Sequence, residues 1–149
     1  MKNKKLVIAA DHAGFEYKAK LISYLTEKGY EMIDAGTYSA ESCDYPIPVH
    51  ALCKVIQSGE CDEGILICGT GIGVSMAANK HRGIRAAVCS DKYSTEMTRL
   101  HNDANVLCMG ARVIDTAKAI KLTDIFLDTE FMGDKHLTRI NMIADIENK

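Results

Sequence analysis

The sequence predicts a single α/β domain over residues 1–149: a three-layer, Rossmann-like open parallel sheet of five strands, with helices on both faces and an extra C-terminal helix. Two observations carry this prediction. Five short apolar runs, each suited to a buried parallel strand, alternate with longer segments of helical periodicity. No linker, repeat or low-complexity tract interrupts the series, and 149 residues are a usual length for one domain.

The first two strands are predicted at residues 6–10, an unbroken apolar run, and at residues 31–34. The helix between them ends at Gly29, a natural stop. Its predicted apolar face consists of Phe15, Ala19, Ile22 and Leu25. After a loop over residues 35–45, two prolines indicate the start of a second helix. That helix carries Pro46 and Pro48, then the apolar residues Val49, Leu52, Cys53 and Ile56, and Gly59 closes it.

The stretch over residues 63–75 is the most informative part of the chain. Residues 65–67 are all apolar and predict a buried strand, and three alternating glycines separate this strand from a helix over residues 74–80. Cys68 therefore stands where a strand ends and a helix begins. Alternating glycines let successive N–H groups point into one concavity, and the helix N-terminus adds partial positive charge. A thiol at this position should ionise more easily. The neighbouring N–H groups could also stabilise a developing oxyanion.

Three other interpretations of this stretch differ in strength. A free cysteine is commonly a small buried hydrophobe, and the strand taken alone favours a buried and a reactive Cys68 about equally. A dinucleotide fingerprint is incomplete, because its third glycine is replaced by Val74 or Met76, although Asp91 stands where a ribose-binding acid would. A phosphate-binding P-loop is excluded, since no Gly-Lys-Ser/Thr follows.

The rest of the chain adds two strands and three helices. Strand four is predicted at residues 84–89 and strand five at residues 105–109. Ser90 or Asp91 caps the helix between them, which stops near residues 101–103. The predicted apolar positions are Tyr93, Met97 and Leu100 in helix four, Ala119, Leu122, Ile125 and Phe126 in helix five, and Leu137, Ile140, Ile143 and Ala144 in a last helix from about Lys135.

Composition limits the functions that are open to this chain. A net charge of -2 favours neither nucleic acid nor an anionic membrane as a partner, and no apolar run approaches transmembrane length. The apolar segment behind the basic residues 1–5 is too short for a signal peptide. The six cysteines show no C-x-x-C spacing, and four of them fall inside predicted elements. They indicate reduced thiols in a cytoplasmic protein, without structural zinc.

The carboxyl ends of two predicted strands carry the most reactive side chains. Open parallel sheets bind ligands at this edge, where the strand order reverses. Strand one ends at Asp11-His12 and strand three at Cys68-Gly69. A turn cap would explain Asp11 without any function, but it explains His12 less well. We therefore expect a ligand site at this edge of the sheet.

Four motifs in the chain together resemble type B ribose-5-phosphate isomerases. They occupy residues 9–14, with Asp11 and His12, the glycine loop at residues 68–73, residues 99–102 and residues 109–112. The resemblance runs from strand one to the final helix, and the order of the motifs makes it specific. That family also contains galactose-6-phosphate and allose-6-phosphate isomerases, but the cysteine in the glycine loop is closer to the ribose enzymes.

The resemblance implies interconversion of ribose 5-phosphate and ribulose 5-phosphate, a step of the pentose phosphate pathway, through an enediolate and without cofactor or metal. Moving a carbonyl between C1 and C2 requires a base that removes a carbon-bound proton, and donors that hold the oxyanion. By resemblance, Cys68 is the base and His101 assists opening of the sugar ring. Thr70 and the loop amides hold the enediolate; these loop residues are Gly69, Gly71, Ile72 and Gly73.

The resemblance also implies a set of residues that bind the substrate. Asp11 and Asn102 lie near the sugar hydroxyls, and the basic members of the set bind the phosphate group. The full set is Asp11, His12, Tyr45, Asn102, Arg112, Lys135 and Arg139. One position departs from the family pattern, because Lys135 replaces an arginine and neutralises phosphate only as a point charge. His136 is interpreted as an exposed or capping residue.

Several rival functions would use the same residues. A thiol hydrolase with Cys68, His101 and Asn102 is disfavoured, because adjacent residues project in different directions and Asn102 cannot orient the His101 ring. A cysteine phosphatase would need arginine at position 74, which is valine. Two alternatives stay open: an isomerase of a six-carbon aldose phosphate (allose or galactose 6-phosphate), and a non-catalytic sugar-phosphate-binding protein.

The direction of helix four predicts that two chains build each site. This helix leaves the carboxyl end of strand four and runs back, so His101 and Asn102 should emerge at the opposite edge of the sheet from Cys68, roughly 17–20 Å away. Either His101 is a mere helix-end residue, favourable there as a cation, or it serves a neighbouring subunit. The resemblance favours a homodimer with shared active sites, and it leaves dimer and tetramer open.

Overall fold

The computed structural model describes residues 4–149, so residues 1–3 of the basic start lie outside the described residues. Five strands form one sheet: β1 (Lys5–Ala10), β2 (Glu31–Asp34), β3 (Gly64–Cys68), β4 (Ala86–Val88) and β5 (Val106–Gly110). Every neighbouring pair is parallel, and the order across the sheet is β2-β1-β3-β5-β4. The predicted open parallel sheet is confirmed.

The helices within this described part of the chain are α1 (Phe15–Glu27), α2 (Pro46–Gln57), α3 (Ile72–Ala78), α4 (Lys92–Asn102), α5 (Thr116–Asp128) and α6 (Lys135–Ile146), and a short 3-10 helix covers His12–Gly14. Helices α2 and α3 pack on one face of the sheet, and α1, α4 and α5 pack on the other. Helix α6 packs against α4. The predicted three layers and the extra C-terminal helix are therefore confirmed.

Alternating strand residues supply two hydrophobic clusters, one on each face of the sheet. In β1, Leu6 and Ile8 belong to the cluster under α1 and α5, whereas Val7 and Ala9 belong to the cluster under α2 and α3. Cys68 lies in the second cluster. Because both faces are covered, the strands appear in the sequence as unbroken apolar runs rather than as alternating ones.

The predicted buried face of α1 is correct at Leu25, and Ile22 packs against the core, but it is wrong at Ala19 and it misses Lys18. The buried residues of α1 are Lys18, Leu21 and Leu25, whereas Ala19 is exposed. Lys18 is only 1% exposed, and its ammonium group is paired with the Asp34 carboxylate at 2.7 Å. An apolar pattern cannot reveal a lysine that enters the interior with its charge paired.

The predicted face of α4 is wrong at Tyr93, whereas Met97 and Leu100 are half-buried. Tyr93 is 72% exposed, whereas Thr95, Thr98 and Arg99 are buried. The Arg99 guanidinium lies 5.5 Å from the centre of the Phe126 ring, so α4 presents a cation rather than an apolar stripe to α5. Arg99 also donates to the carbonyl oxygens of residues 104 and 129, which ties down the end of α4.

Element boundaries differ from the sequence predictions most clearly at β4, α3 and β5. β4 has three residues rather than six, because the Arg85 N–H donates to the side chain of Asn105 (2.7 Å) and not to a neighbouring strand. Helix α3 begins at Ile72 rather than at residue 74, and β5 begins and ends one residue later than predicted. Within residues 4–149, no helix combines the length and apolar character that crossing a membrane requires.

Candidate active site

The strand order reverses between β1 and β3, and the carboxyl ends of these two strands lie side by side. Ala10 is in register with Ile67, and the Asp11 N–H donates to the Ile67 carbonyl oxygen at 3.1 Å. One carboxylate oxygen of Asp11 accepts the N–H groups of Ala13 (2.9 Å) and Gly14 (3.2 Å). Asp11 is therefore a turn cap that also stands at the edge of the predicted site.

Cys68 ends β3 and is 6% exposed. Its Sγ atom accepts a hydrogen bond from the Gly71 N–H at 3.1 Å. Gly71 has a φ of 83°, in the left-handed region that favours glycine, and this conformation closes the turn below the sulfur. A backbone N–H aimed at sulfur stabilises negative charge there. The structure thus supplies a donor of the kind that the glycine spacing predicts.

Two backbone hydrogen bonds join the loop after β3 to the residues after β5. The Ala111 N–H donates to the Cys68 carbonyl oxygen at 2.8 Å, and the Arg112 N–H donates to the Gly69 carbonyl oxygen at 3.0 Å. These bonds extend the pairing of the two strands beyond their ends. Arg112 is consequently held beside the glycine loop by its own backbone.

The same two loops touch backbone to backbone. A β-carbon on Gly110 would lie 2.6 Å from the Thr70 carbonyl carbon, and one on Gly71 would lie 2.9 Å from the Met109 carbonyl carbon. Only glycine allows chains to approach this closely. The contact holds Thr70 in place relative to Cys68, and the Thr70 Oγ1 atom accepts the N–H of Ile72 at 3.2 Å.

Three longer side chains border this loop. A β-carbon on Gly69 would lie 3.3 Å from Nη1 of Arg112, and one on Gly73 would lie 2.7 Å from the Tyr45 ring. On the other side, Nδ1 of His12 accepts the N–H of Cys43 at 3.3 Å. The structure therefore gathers ten of the residues predicted for the site at one edge: Asp11, His12, Tyr45, Cys68, Gly69, Thr70, Gly71, Ile72, Gly73 and Arg112.

His101 and Asn102 lie at the opposite, amino edge of the sheet. The Asn102 carbonyl oxygen accepts from Nε of Arg85 (3.1 Å), just before β4, and Gly64, the first residue of β3, donates to the carbonyl oxygen of residue 105. From Gly64 to Cys68 the strand rises about 13 Å, at roughly 3.3 Å per residue. The predicted placement of the end of α4 at the amino edge of the sheet is confirmed.

A cluster of cationic and imidazole groups surrounds His101. Its ring stacks on that of His136, with centroids 4.2 Å apart and planes at 12°. His136 is thus half-buried against the His101 ring, and its interpretation as an exposed or capping residue is wrong. Its pKa is lowered by partial burial and then by His101, Lys135 and Arg139, against an opposing effect of Asp134. Lys135 and Arg139 are exposed and one helical turn apart.

A cavity of about 420 Å³ also lies at the amino edge, between β4, α3, α4 and α6. Asn102 and Arg85 line it together with apolar residues of α6, including Ile143 and Ile146. At the other edge, Asp91 caps α4 by accepting the N–H of Ser94 at 2.7 Å, which lowers the pKa of its carboxyl group. A ribose-binding role for Asp91 would compete with this cap.

The sequence profile of the Ribose/Galactose Isomerase family matches residues 6–143. The chain belongs to this family. It is 44% identical over 146 residues to the ribose-5-phosphate isomerase B of Escherichia coli (strain K12), covering 98% of each chain. It is 47% identical to a ribose-5-phosphate isomerase B structure from Clostridium thermocellum, with a TM-score of 0.95 over 97% of each chain. A Thermotoga maritima structure of that enzyme gives 48% identity and a TM-score of 0.92, over 95% of this chain and 97% of the other.

Membership of the ribose/galactose isomerase family agrees with the fold and with the predicted resemblance. Two residues close to the site were not predicted for it. The sequence does place His136 among the cations of the last helix. It cannot show that the His136 ring stacks on His101, because that contact depends on how α6 packs on α4. The bond from Cys43 to His12 has no such signal, because a backbone N–H donor in a loop leaves no mark on side-chain identity.

Proposed function

We propose that this chain is an aldose–ketose isomerase that interconverts ribose 5-phosphate and ribulose 5-phosphate. The observation that carries the proposal is the position of Cys68, at the carboxyl end of β3 with the Gly71 N–H 3.1 Å from its sulfur. Around this sulfur lie Asp11 and Arg112, which suit hydroxyl and phosphate groups. The relatives named ribose-5-phosphate isomerase B support the choice of sugar.

The reaction follows from the chemistry of these groups. In the open-chain aldose, the Cys68 thiolate takes the proton from C2, and the electron pair forms the C1–C2 double bond while O1 becomes anionic. Thr70 and the amides of the glycine loop hold this enediolate. The thiol then returns the proton to C1, and the proton of O2 moves to O1, which leaves the carbonyl at C2. Atoms and electrons balance within the sugar, so no outside oxidant or reductant takes part.

We further propose that a second subunit completes each site. Thr70, Ile72 and Arg112 are exposed in the single chain, although carbanion chemistry benefits when water is excluded. The group suited to ring opening, His101, lies at the other edge of the same sheet, together with Asn102 and two further cations suited to phosphate, Lys135 and Arg139. In a two-fold dimer, this edge of each subunit would lie over Cys68 of the other subunit, so that both active sites would be completed by the same contact.

Exposed apolar side chains support such an interface. Ile72 and Met76 lie on one face of α3 and are 49% and 65% exposed. On α6, Met142, Ile143 and Ile146 are 62%, 48% and 65% exposed. Contiguous apolar residues on a surface indicate an interaction site. A tetramer would be a pair of these dimers, and six free thiols suit the reducing cytoplasm, where we place the enzyme.

The proposal is tested by incubating the purified protein with ribose 5-phosphate, allose 6-phosphate or galactose 6-phosphate, and measuring ketose formation. We expect the highest kcat/KM with ribose 5-phosphate. A higher value for either hexose phosphate would assign the chain to a six-carbon substrate. Saturable binding of all three sugars without ketose formation would identify a sugar-phosphate-binding protein instead.

A further inference from the structure

Lys18 is the most deeply buried charged residue of α1, with 1% of its surface exposed. Its Nζ donates to Asp34 Oδ1 at 2.7 Å and to the carbonyl oxygen of Thr37. The rings of Phe15 and Tyr38 flank the ammonium group, with their centroids 5.4 and 5.3 Å from Nζ. A carboxylate, a carbonyl oxygen and two aromatic rings therefore stabilise this buried cation.

The groups that Lys18 holds lie at the end of β2 and at the start of the loop at residues 35–45. Asp34 Oδ1, which accepts from Lys18, also accepts the N–H of Gly36 at 3.0 Å. The Gly36 carbonyl oxygen accepts the N–H of Ala10, and the Thr37 N–H donates to the Ala10 carbonyl oxygen, both at 2.7 Å. These two bonds fix the loop to the last residue of β1. The next two residues are Asp11 and His12.

The far end of the same loop reaches the glycine loop. The Cys43 N–H donates to His12, and the Tyr45 ring lies against Gly73. The loop therefore borders the site at three points, namely Ala10, His12 and Gly73. The Lys18 ammonium group holds the first residues of this loop through the Thr37 carbonyl oxygen. A change at Lys18 is therefore transmitted through backbone hydrogen bonds to the sugar-binding side of the site.

Stability alone is a weak reason for a charge at this position. Removing an ammonium group from water is costly, and replacing a buried ion pair by apolar groups of similar size is often neutral or stabilising. What an apolar side chain cannot do is hold the Asp34 carboxylate and the Thr37 carbonyl oxygen at fixed positions. The ion pair specifies the loop conformation, which the apolar core does not.

We infer that Lys18 is a positioning residue of the isomerase site, which sets the loop at residues 35–45 so that Asp11, His12 and Tyr45 meet the sugar phosphate. The inference rests on the proposed function, which places Asp11 beside the sugar, and on the family resemblance, which implies that all three residues bind the substrate. Lys18 itself touches no substrate. Its removal should weaken substrate binding more than proton transfer, since Cys68 and its Gly71 donor belong to a different loop.

The test is the double substitution Lys18→Met with Asp34→Asn, which removes both charges and leaves no unpaired carboxylate. The matched control is Lys28→Met with Asp124→Asn, an ion pair of 2.9 Å at the other end of α1, with Lys28 5.4 Å from the Tyr24 ring. We expect KM for ribose 5-phosphate to rise roughly tenfold in the first variant, with a smaller change in kcat, and to stay unchanged in the control. Hydrogen exchange should quicken at Gly36 and Thr37 and not in β5.

A second variant keeps the inference testable if the double variant does not fold. Tyr38→Ala alters a residue that is 73% exposed, and removes one ring beside the ammonium group and the hydrogen bond to the Asp34 carbonyl oxygen (3.1 Å). A rise in KM of roughly threefold would support the inference. Unchanged KM in the folded variants would overturn it, as would equal changes in the control pair. A wild-type protein that is inactive on ribose 5-phosphate would instead overturn the proposed function.

Discussion

The two edges of the sheet hold their functional side chains in different ways. At the carboxyl edge, backbone contacts between two loops and a hydrogen bond from Gly71 surround Cys68. At the amino edge, His101 rests on the ring of His136, and Lys135 and Arg139 stand exposed on a helix. Proton removal from carbon requires atomic precision, whereas an anion tolerates several placements of a cation. The rigid edge therefore suits proton transfer together with its share of substrate binding, and the adaptable edge suits ring opening and additional contacts to the phosphate group.

The largest expected effect, and the strongest test of the difference between the two edges, is the removal of the proposed base, Cys68. Cys68→Ala should lower kcat for ribose 5-phosphate by roughly 10²–10⁴ or more without unfolding the protein. Iodoacetamide should inactivate the wild type, and ribose 5-phosphate should protect it. Peptide mapping should place the label that ribose 5-phosphate blocks at Cys68, whereas the half-buried Cys43 is labelled with or without the sugar. The other four thiols should react slowly, because burial raises the pKa of Cys53 and Cys61 to about 11 and also raises that of Cys89 and Cys108.

Cys53→Ala is the matched control for that substitution. Cys53 lies in the same hydrophobic cluster as Cys68 but on α2, so its loss should leave turnover unchanged. Near-normal turnover in Cys68→Ala would contradict the assignment of the base.

Mixing two inactive variants tests whether the edges of different chains meet. Cys68→Ala and His101→Asn homodimers should each be inactive, but mixed dimers would carry one intact site and one doubly damaged site. Random exchange of subunits should then restore activity to roughly a quarter of all sites. Cys68→Ala mixed with Thr70→Val, which alters the same edge, should restore none. If subunits exchange and the first mixture also stays inactive, His101 and Cys68 act within one chain.

A smaller effect is expected at the phosphate-binding helix. Lys135→Ala should raise KM for ribose 5-phosphate roughly tenfold and leave the feeble activity on unphosphorylated ribose unchanged, because one charged contact to phosphate is lost. Lys135→Arg should lower KM, since it supplies a bidentate donor. Lys121→Ala removes an equally exposed charge from α5 and should change neither constant. Equal losses on both sugars would indicate a structural role for Lys135.

The smallest expected effect concerns the pH dependence of stability. The folded state lowers the pKa of His136 below its ordinary value of 6.5, so the unfolded chain binds the proton more readily. This histidine therefore makes the fold less stable as the pH falls below about 6.5. We expect the Tm of His136→Gln to drop less than that of the wild type between pH 7.5 and pH 5. High salt should reduce the difference between the two drops in Tm. Equal drops at low salt would contradict the predicted effect of His136 on stability.

Much of the carboxyl edge could be predicted from the sequence. Apolar runs place the strands, and parallel topology then brings Asp11 and Cys68 together, because the ends of neighbouring strands share one edge. The departure of α4 from strand four also places His101 at the far edge. These inferences need only the periodicity of the chain and the direction of its elements.

Interior charges could not be predicted in the same way. Lys18 and Arg99 look like surface residues in a hydropathy pattern, and each is buried because partners distant in the chain satisfy it. For this reason the predicted buried faces of α1 and α4 omit Lys18 and Arg99 and wrongly include Ala19 and Tyr93. The stack of His136 on His101 likewise depends on the packing of α6 against α4, which no local pattern encodes.

The crossing of the two loops beside Cys68 has an evolutionary consequence. A side chain on Gly110 would meet the backbone of Thr70, and a side chain on Gly71 would meet the backbone of Met109. Since each obstacle is main chain, no exchange of a neighbouring side chain for a smaller one can compensate. Descendants of this sequence must therefore inherit both glycines for as long as the loop at Cys68 is kept.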